Sequence, residues 1–107
     1  MIESVTQDVI EGDMKFFVYI LESLKDKSLY TGQTSDLISR LKKHNKGYVK
    51  STRFKRPWRI GYFEGYNSRS EAMWREWQLK KRTSLEIRRK LINEFDTSLV
   101  AKLVPSD

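Results

Sequence analysis

Phe17-Val18-Tyr19 and, ten residues later, Tyr30-Thr31-Gly32 form the stretch whose reading decides the fold. The first half lies inside Lys15-Phe16-Phe17-Val18-Tyr19-Ile20-Leu21-Glu22, a nearly continuous apolar run of strand length. Such a run predicts a strand buried on both faces. Leu24-Lys25-Asp26-Lys27-Ser28 reads as a turn, and Ser28 to Gln33 as a second β-prone segment. The two segments predict a β-hairpin that brings Tyr19 and Tyr30 together. Gly32 marks a place where the chain turns closely or where a ligand comes near the backbone.

Downstream, Thr34-Ser35-Asp36 signals a helix start, with Thr34 or Ser35 as the cap and Asp36 in the positive first turn. Leu37, Ile38 and Leu41 supply the buried stripe of that helix, and Gly47 stops it. Arg40 and His44, four apart, share a neighbouring face. Residues 45–57 show no period and read as a loop closed by Pro57. Trp58 to Tyr66 predicts a third strand. Ser68 then caps a second helix over about Arg69 to Arg82, with Glu71 in capping-box spacing. Ser84 caps a third helix through about Glu94, anchored by Leu85, Ile87, Leu91, Ile92 and Phe95.

The predicted order is β-β-α-β-α-α, an α+β domain built on a small three-stranded mixed sheet flanked by helices. Three segments are expected: a flexible leader over 1–13, the folded domain over 14–96, and a tail over 97–107 whose Leu99, Val100, Leu103 and Val104 pack back. A length of 107 residues fits one small domain. The absence of cysteine excludes a disulfide scaffold, a zinc-thiolate site and a thiol nucleophile. The acidic N-terminus has no apolar signal core and no run is long enough to cross a bilayer, so the expected place is the cytoplasm, with no membrane partner.

The formal charge of +7 favours a polyanionic partner. Residues 40–59 concentrate it, with nine Lys and Arg and no acid, interleaved with Tyr48, Phe54 and Trp58. Phosphate contacts plus base stacking would use that mixture. A merely solvated basic face would share the composition.

Inside the second helix, Glu76 falls four after Ala72 and three before Leu79, so it points with them toward the protein body. A carboxylate so placed costs several kcal/mol unless paired or metal-bound. A salt bridge to a neighbouring Lys or Arg is its ordinary explanation. One histidine in the chain rules out a multi-histidine metal site. Carboxylate ligation suits a hard ion, Mg²⁺ or Mn²⁺. Bland explanations also exist for the other polar residues. Tyr19 and Tyr30 would be half-buried packing, His44 a helix C-terminal dipole partner and Arg40 a solvated side chain. Trp74 and Trp77 are read as core or rim rather than as base-stacking platforms.

Taken together, Tyr19, Tyr30, Arg40, His44 and Glu76 resemble the constellation of the GIY-YIG endonucleases. Phe17-Val18-Tyr19 and Tyr30-Thr31-Gly32 stand at the two motifs. Asp36-Leu37, Arg40-Leu41, His44-Asn45, Thr52-Arg53 with Pro57 beyond, Glu71-Ala72 and Gln78-Leu79-Lys80-Lys81 match the small stand-alone branch. The likeness runs from about Phe16 to Phe95. It implies the nuclease fold and hydrolysis of DNA phosphodiesters, in repair or processing, with one Mg²⁺ or Mn²⁺ on Glu76. It also implies catalytic roles for Tyr19, Tyr30, Arg40, His44 and Glu76, with Tyr19 or His44 as the base. Gln33, Lys43, Lys46, Lys50, Arg53, Lys55 and Arg56 are the expected nucleic-acid contacts. Gln33 stands where some relatives carry lysine, and the asparagine that follows the glutamate helix in several nucleases has no counterpart. The alternative is a nucleic-acid-binding module of the same fold with weak or no catalysis. A recruiting protein partner and a monomer or weak dimer complete the expectations.

Overall fold

The computed structural model describes residues 14–103, so the leader over 1–13 and the end of the tail from 104 lie outside the described residues. Three strands, β1 (Phe16–Ser23), β2 (Leu29–Thr34) and β3 (Trp58–Tyr66), form one sheet in the order β2-β1-β3. Four helices follow in the chain: α1 (Leu37–Asn45), α2 (Arg69–Lys80), α3 (Leu85–Glu94) and the short α4 (Ser98–Ala101). Short 3₁₀ turns cover Arg53–Lys55 and Arg82–Ser84. The α+β class and element order are as predicted, with α4 added in the tail. The sheet is antiparallel throughout rather than mixed, because β1 pairs antiparallel with both neighbours. The third strand returns beside β1 opposite in direction, so no parallel crossover arises.

Central placement explains the apolar run of β1. Val18, Tyr19, Ile20 and Leu21 are all essentially inaccessible. Alternate residues face opposite layers. Tyr19 and Leu21 join Leu37, Trp58, Ile60 and Phe63 on the α1 face, with Leu99, Val100 and Leu103 packed against them. Val18 and Ile20 join Ala72, Leu79 and Ile92 on the α2–α3 face. Along β3 a bulge skips Gly61 between Ile60 and Tyr62. One extra residue reverses the alternation, so Phe63 and Ile60 share a core although three apart.

Local chemistry sets the element ends. The helix cap at α1 is Asp36, not Thr34 or Ser35; its carboxylate accepts from the Ser39 amide at 3.1 Å. Gly47, with φ +85°, ends α1 in a Schellman pattern, its amide bonded to the His44 carbonyl and the Tyr48 amide to the Lys43 carbonyl. Ser68 caps α2 through the Glu71 amide, as the spacing predicts. At α3, Ser84 does not cap with its side chain; the hydroxyl donates back to the Gln78 carbonyl. Leu85 and Ile87 are exposed rather than anchoring. Both lie in the first turn of α3, whereas Leu91 and Ile92 further along pack into the core on this face.

A buried carboxylate clamps α2 to the sheet. Glu64, 3% exposed, accepts from the hydroxyls of Tyr62 and Tyr66 and is bridged by the Arg75 guanidinium, whose Nε lies 2.8 Å away. Burial pushes the Tyr62 and Tyr66 phenols well up, and the Glu64 charge adds to it. Both therefore stay protonated donors. The clamp sets the rotation of α2 and with it the direction of the next residue, Glu76.

Candidate active site

Tyr19 and Glu76 start on opposite faces of the sheet. Tyr19 belongs to the core on the α1 face, whereas Glu76 rises from α2 on the other. They meet because of Gly32. This residue pairs directly with Tyr19 on the edge strand β2. A Cβ at Gly32 would lie 2.7 Å from the Tyr19 hydroxyl and 2.9 Å from its Cζ. What the glycine admits is thus the phenol of Tyr19 itself, which lies across β2 toward the open edge of the sheet. The same Cβ would meet the Tyr30 ring at 3.2 Å.

At that edge the polar residues converge. The Tyr19 and Tyr30 rings are 6.3 Å apart, and the His44 ring is 4.8 Å from that of Tyr30. The Tyr19 hydroxyl is 3.3 Å from His44 Nε2. Burial pushes the Tyr19 phenol far up; Tyr30 adds to this, Arg40 opposes it and Glu76 adds again. Arg40 and Glu76 therefore both act on the same hydroxyl from different helices.

His44 is a fully buried member of this group, not an exposed helix-end cation. Its Nδ1 lies 2.8 Å from the Thr52 hydroxyl. Thr52 is held from two sides, its hydroxyl facing the Val49 carbonyl at 3.4 Å and its own carbonyl accepting from the Trp58 indole at 2.9 Å. A hydroxyl that donates to Val49 accepts from Nδ1–H, which assigns the free lone pair of His44 to Nε2, facing Tyr19. Burial, followed by the Arg40 charge, lowers the His44 pKa from 6.5 to about 4. The imidazole is thus neutral at pH 7, with its Nε2 lone pair facing the Tyr19 hydroxyl. Sequence reasoning gave no role to Thr52. It sits in an aperiodic loop, and only its place in Thr52-Arg53 of the family pattern pointed to it.

Glu76 is held as the ordinary explanation required, by ion pairing. Oε2 lies 2.8 Å from Lys80 Nζ, one helical turn on, and Oε1 accepts from Gln33 Nε2 at 3.3 Å. The Gln33 Oε1 is buried without a partner. Turning the amide over exchanges its O and N and presents an acceptor beside Glu76. A carboxylate and an amide oxygen side by side fit a hard divalent cation. No group of three or more His, Cys, Asp or Glu side chains suited to a metal occurs among the described residues. An ion here would hence keep most of its water, as Mg²⁺ does. Gln33 accordingly sits beside Glu76 rather than on the open basic surface.

The remaining expected contacts lie on the α1–loop side. Lys43, Lys46, Lys50, Arg53, Lys55 and Arg56 are exposed. Some are tied to the protein. Lys55 donates to Ser28 Oγ at 3.1 Å, and Arg56 Nε to the Arg53 carbonyl at 2.6 Å. Between them a groove of about 420 Å³ is lined by Lys25, Asn45, Arg53, Phe54, Arg56 and Pro57. Lys25, from the hairpin turn, was not anticipated. Thr52 anchors this basic loop directly to His44.

Residues 15–90 match the family model of the GIY-YIG catalytic domain. The chain is 42% identical over 69 residues to a UPF0213 protein of Pediococcus pentosaceus, covering 64% of this chain and 72% of the relative. It is 47% identical over 68 residues to a UPF0213 protein of Clostridium perfringens, with 63% and 72% covered. The solution NMR structure of a UPF0213 protein from Bacillus halodurans is similar at 36% identity and a TM-score of 0.48, over 85% of this chain and 98% of that one. With the match spanning the hairpin, the arginine helix and the glutamate helix alike, the chain belongs to the GIY-YIG family, whose catalytic domain is a nuclease domain.

Proposed function

We propose that the protein is a divalent-metal-dependent endonuclease that hydrolyses DNA phosphodiester bonds. The observation that carries this reading is the hydrogen-bonded line Tyr19–His44–Thr52 at a sheet edge reached by Arg40 from one helix and Glu76 from another. Glu76, with Gln33 beside it, would hold the ion, Mg²⁺ or Mn²⁺. Such an ion supplies charge for a phosphate oxygen and for the leaving 3′-oxygen.

The chain's own groups supply the rest. A raised phenol pKa makes Tyr19 a poor base by itself. Neutral His44 Nε2 takes the Tyr19 proton as the Tyr19 oxygen takes one from the attacking water. The proton thus ends on the imidazole and hydroxide attacks phosphorus. Thr52 keeps His44 in the accepting tautomer. Arg40, always charged, forks onto non-bridging oxygens as negative charge develops. Tyr30 orients the phosphate against the His44 ring. Lys43, Lys46, Lys50, Arg53, Lys55 and Arg56 hold the flanking backbone. Repair or processing in the cytoplasm, a monomer or weak dimer and a recruiting partner accompany this reading. No described helix is long and apolar enough to cross a membrane.

The test is nicking of plasmid and branched DNA with Mg²⁺ or Mn²⁺. Arg40→Ala is expected to lose roughly 10²–10³ in rate, and Glu76→Ala to abolish metal-stimulated cleavage. Equal activity in all three proteins would refute the proposal. The Lys80–Glu76 pair favours a second reading, a binding module whose carboxylate serves as the partner of Lys80 rather than of a metal. It requires steeply salt-dependent DNA binding with no nicking in either metal.

A further inference from the structure

Trp74 and Trp77 are neither core nor rim. They are 60% and 54% exposed and stack on one another with centroids 5.2 Å apart and planes within 20°. Met73 beside them is 52% exposed. Together with Ser70 they line an apolar groove of about 400 Å³ on the outer face of α2. Nothing among the described residues covers it. Only Lys81 leans in, its Nζ 4.1 Å from the Trp77 ring.

What surrounds the pair selects its occupant. Lys81 lies on the Trp77 ring and the exposed Arg82 follows it, while Lys80 on Glu76 and Arg69 over the Phe16 ring belong to the same basic helix. A second copy would press these cations together in a chain already at +7. Nucleic acid offers what both parts of the face need, phosphates for the cations and flat bases for the indoles. Trp77 directly follows Glu76, so the platform lies on the outer face of the same helix whose inner side carries the carboxylate of the candidate active site.

Resting on the nuclease reading above, we infer that Trp74 and Trp77 form a stacking platform for an unpaired base of the DNA strand held at Glu76. Paired bases inside a duplex present their edges, not their faces, so the platform directs the enzyme to DNA with a single-stranded segment beside the scissile bond. Lys81 leaves its place on Trp77 for the neighbouring phosphate when the base arrives.

Tryptophan emission reads the event directly, because Trp58 is only 4% exposed and serves as a constant background. The probes are a thymidine oligonucleotide, the same backbone with abasic sites and a blunt duplex, all in EDTA so that cleavage is excluded. The thymidine strand is expected to quench the exposed tryptophans and the abasic strand to leave them unchanged. Replacing both Trp74 and Trp77 by alanine is expected to weaken single-strand binding by roughly 10- to 100-fold, with duplex affinity within threefold. Trp77→Phe keeps an aromatic face and is expected to recover most of the affinity, which also covers a failure of the alanine pair to fold. Equal binding of thymidine and abasic strands, or no loss in the alanine pair, would overturn the platform. So would a wild-type dimer that the alanine pair renders monomeric, which would identify a second copy as the occupant. Tenfold tighter binding of the matching RNA strand would overturn the assignment to DNA. No cleavage by the wild type in the Mg²⁺ or Mn²⁺ nicking assay would instead sink the nuclease reading, whereas cleavage there with no single-strand preference in EDTA sinks the platform alone.

Discussion

Replacing Gly32 with alanine tests the geometry of the site without touching a polar group. The new methyl would sit 2.7 Å from the Tyr19 hydroxyl and 2.9 Å from its Cζ, both below any ordinary contact distance. Tyr19 is 1% exposed on the central strand, so the backbone beneath it has no room to yield and the ring must slide. Overpacking of this kind costs about 1–3 kcal/mol. Reduced unfolded-state entropy returns about 0.4–1 kcal/mol. A net loss near 1–2 kcal/mol lowers the melting temperature by roughly 5–15 °C in a domain of this size. The larger effect falls on function. A displaced phenol leaves His44 Nε2, which it now approaches at 3.3 Å, and a misplacement near 1 Å costs on the order of 10² in rate. The assays are thermal melting and plasmid nicking, run on Gly32→Ala, Tyr19→Phe and the double variant. Removing the hydroxyl relieves the shorter clash, so the double variant should be more stable than Gly32→Ala and no more active. A Gly32→Ala protein as stable and as active as the wild type would refute the argument. The melting arm reports even if the protein does not cut DNA.

Three further outcomes follow from the same contacts. His44 takes up its proton near pH 4 in the folded protein and near 6.5 unfolded. Its neutral state therefore adds stability fully present above pH 6.5 and lost as pH falls toward 4, about 3 kcal/mol in all; urea unfolding of the wild type should show this slope, and His44→Gln should flatten it. Hydrogen bonds to Arg59 and Arg89 outweigh burial and hold the Glu22 carboxyl low, so its loss comes below 4.5 and does not confuse the comparison. Lys80→Met frees Glu76 Oε2, and calorimetric Mn²⁺ binding should tighten several-fold, whereas unchanged or weaker binding would show that Lys80 does not compete for the carboxylate. Arg75→Leu strips the ion partner from a carboxylate 3% exposed and should cost about 3–5 kcal/mol in urea unfolding; a loss under 1 kcal/mol would mean that Tyr62 and Tyr66 alone satisfy Glu64.

Most of the fold was legible because its signals are local. The apolar run of β1, the five-residue turn after Ser23 and the Ser68 cap are each written within a few neighbours, and β3 appears with the expected ends. Caps were less legible where two candidates adjoin. Asp36 won over Thr34 and Ser35 because its carboxylate reaches the Ser39 amide directly. Apolar residues misled where periodicity exceeded the surface available. Leu85 and Ile87 fit a helical stripe, yet they stay exposed while Leu91 and Ile92 of the same helix join the core. Trp74 and Trp77 stay in solvent for a different reason, because they lie on the far side of α2 from Ala72 and Leu79.

By itself the sequence determined the α+β order, the pairing of the two tyrosine segments and the residue types of the candidate site. These depend on short-range propensity, spacing and composition. Only the tertiary structure decided that Tyr19 crosses the edge strand over Gly32 and that His44 is buried and oriented by Thr52. It also decided that Glu76 already has Gln33 and Lys80 as partners. Those outcomes join residues from different elements, and their energies depend on desolvation and on distances of a few ångströms that no local pattern encodes.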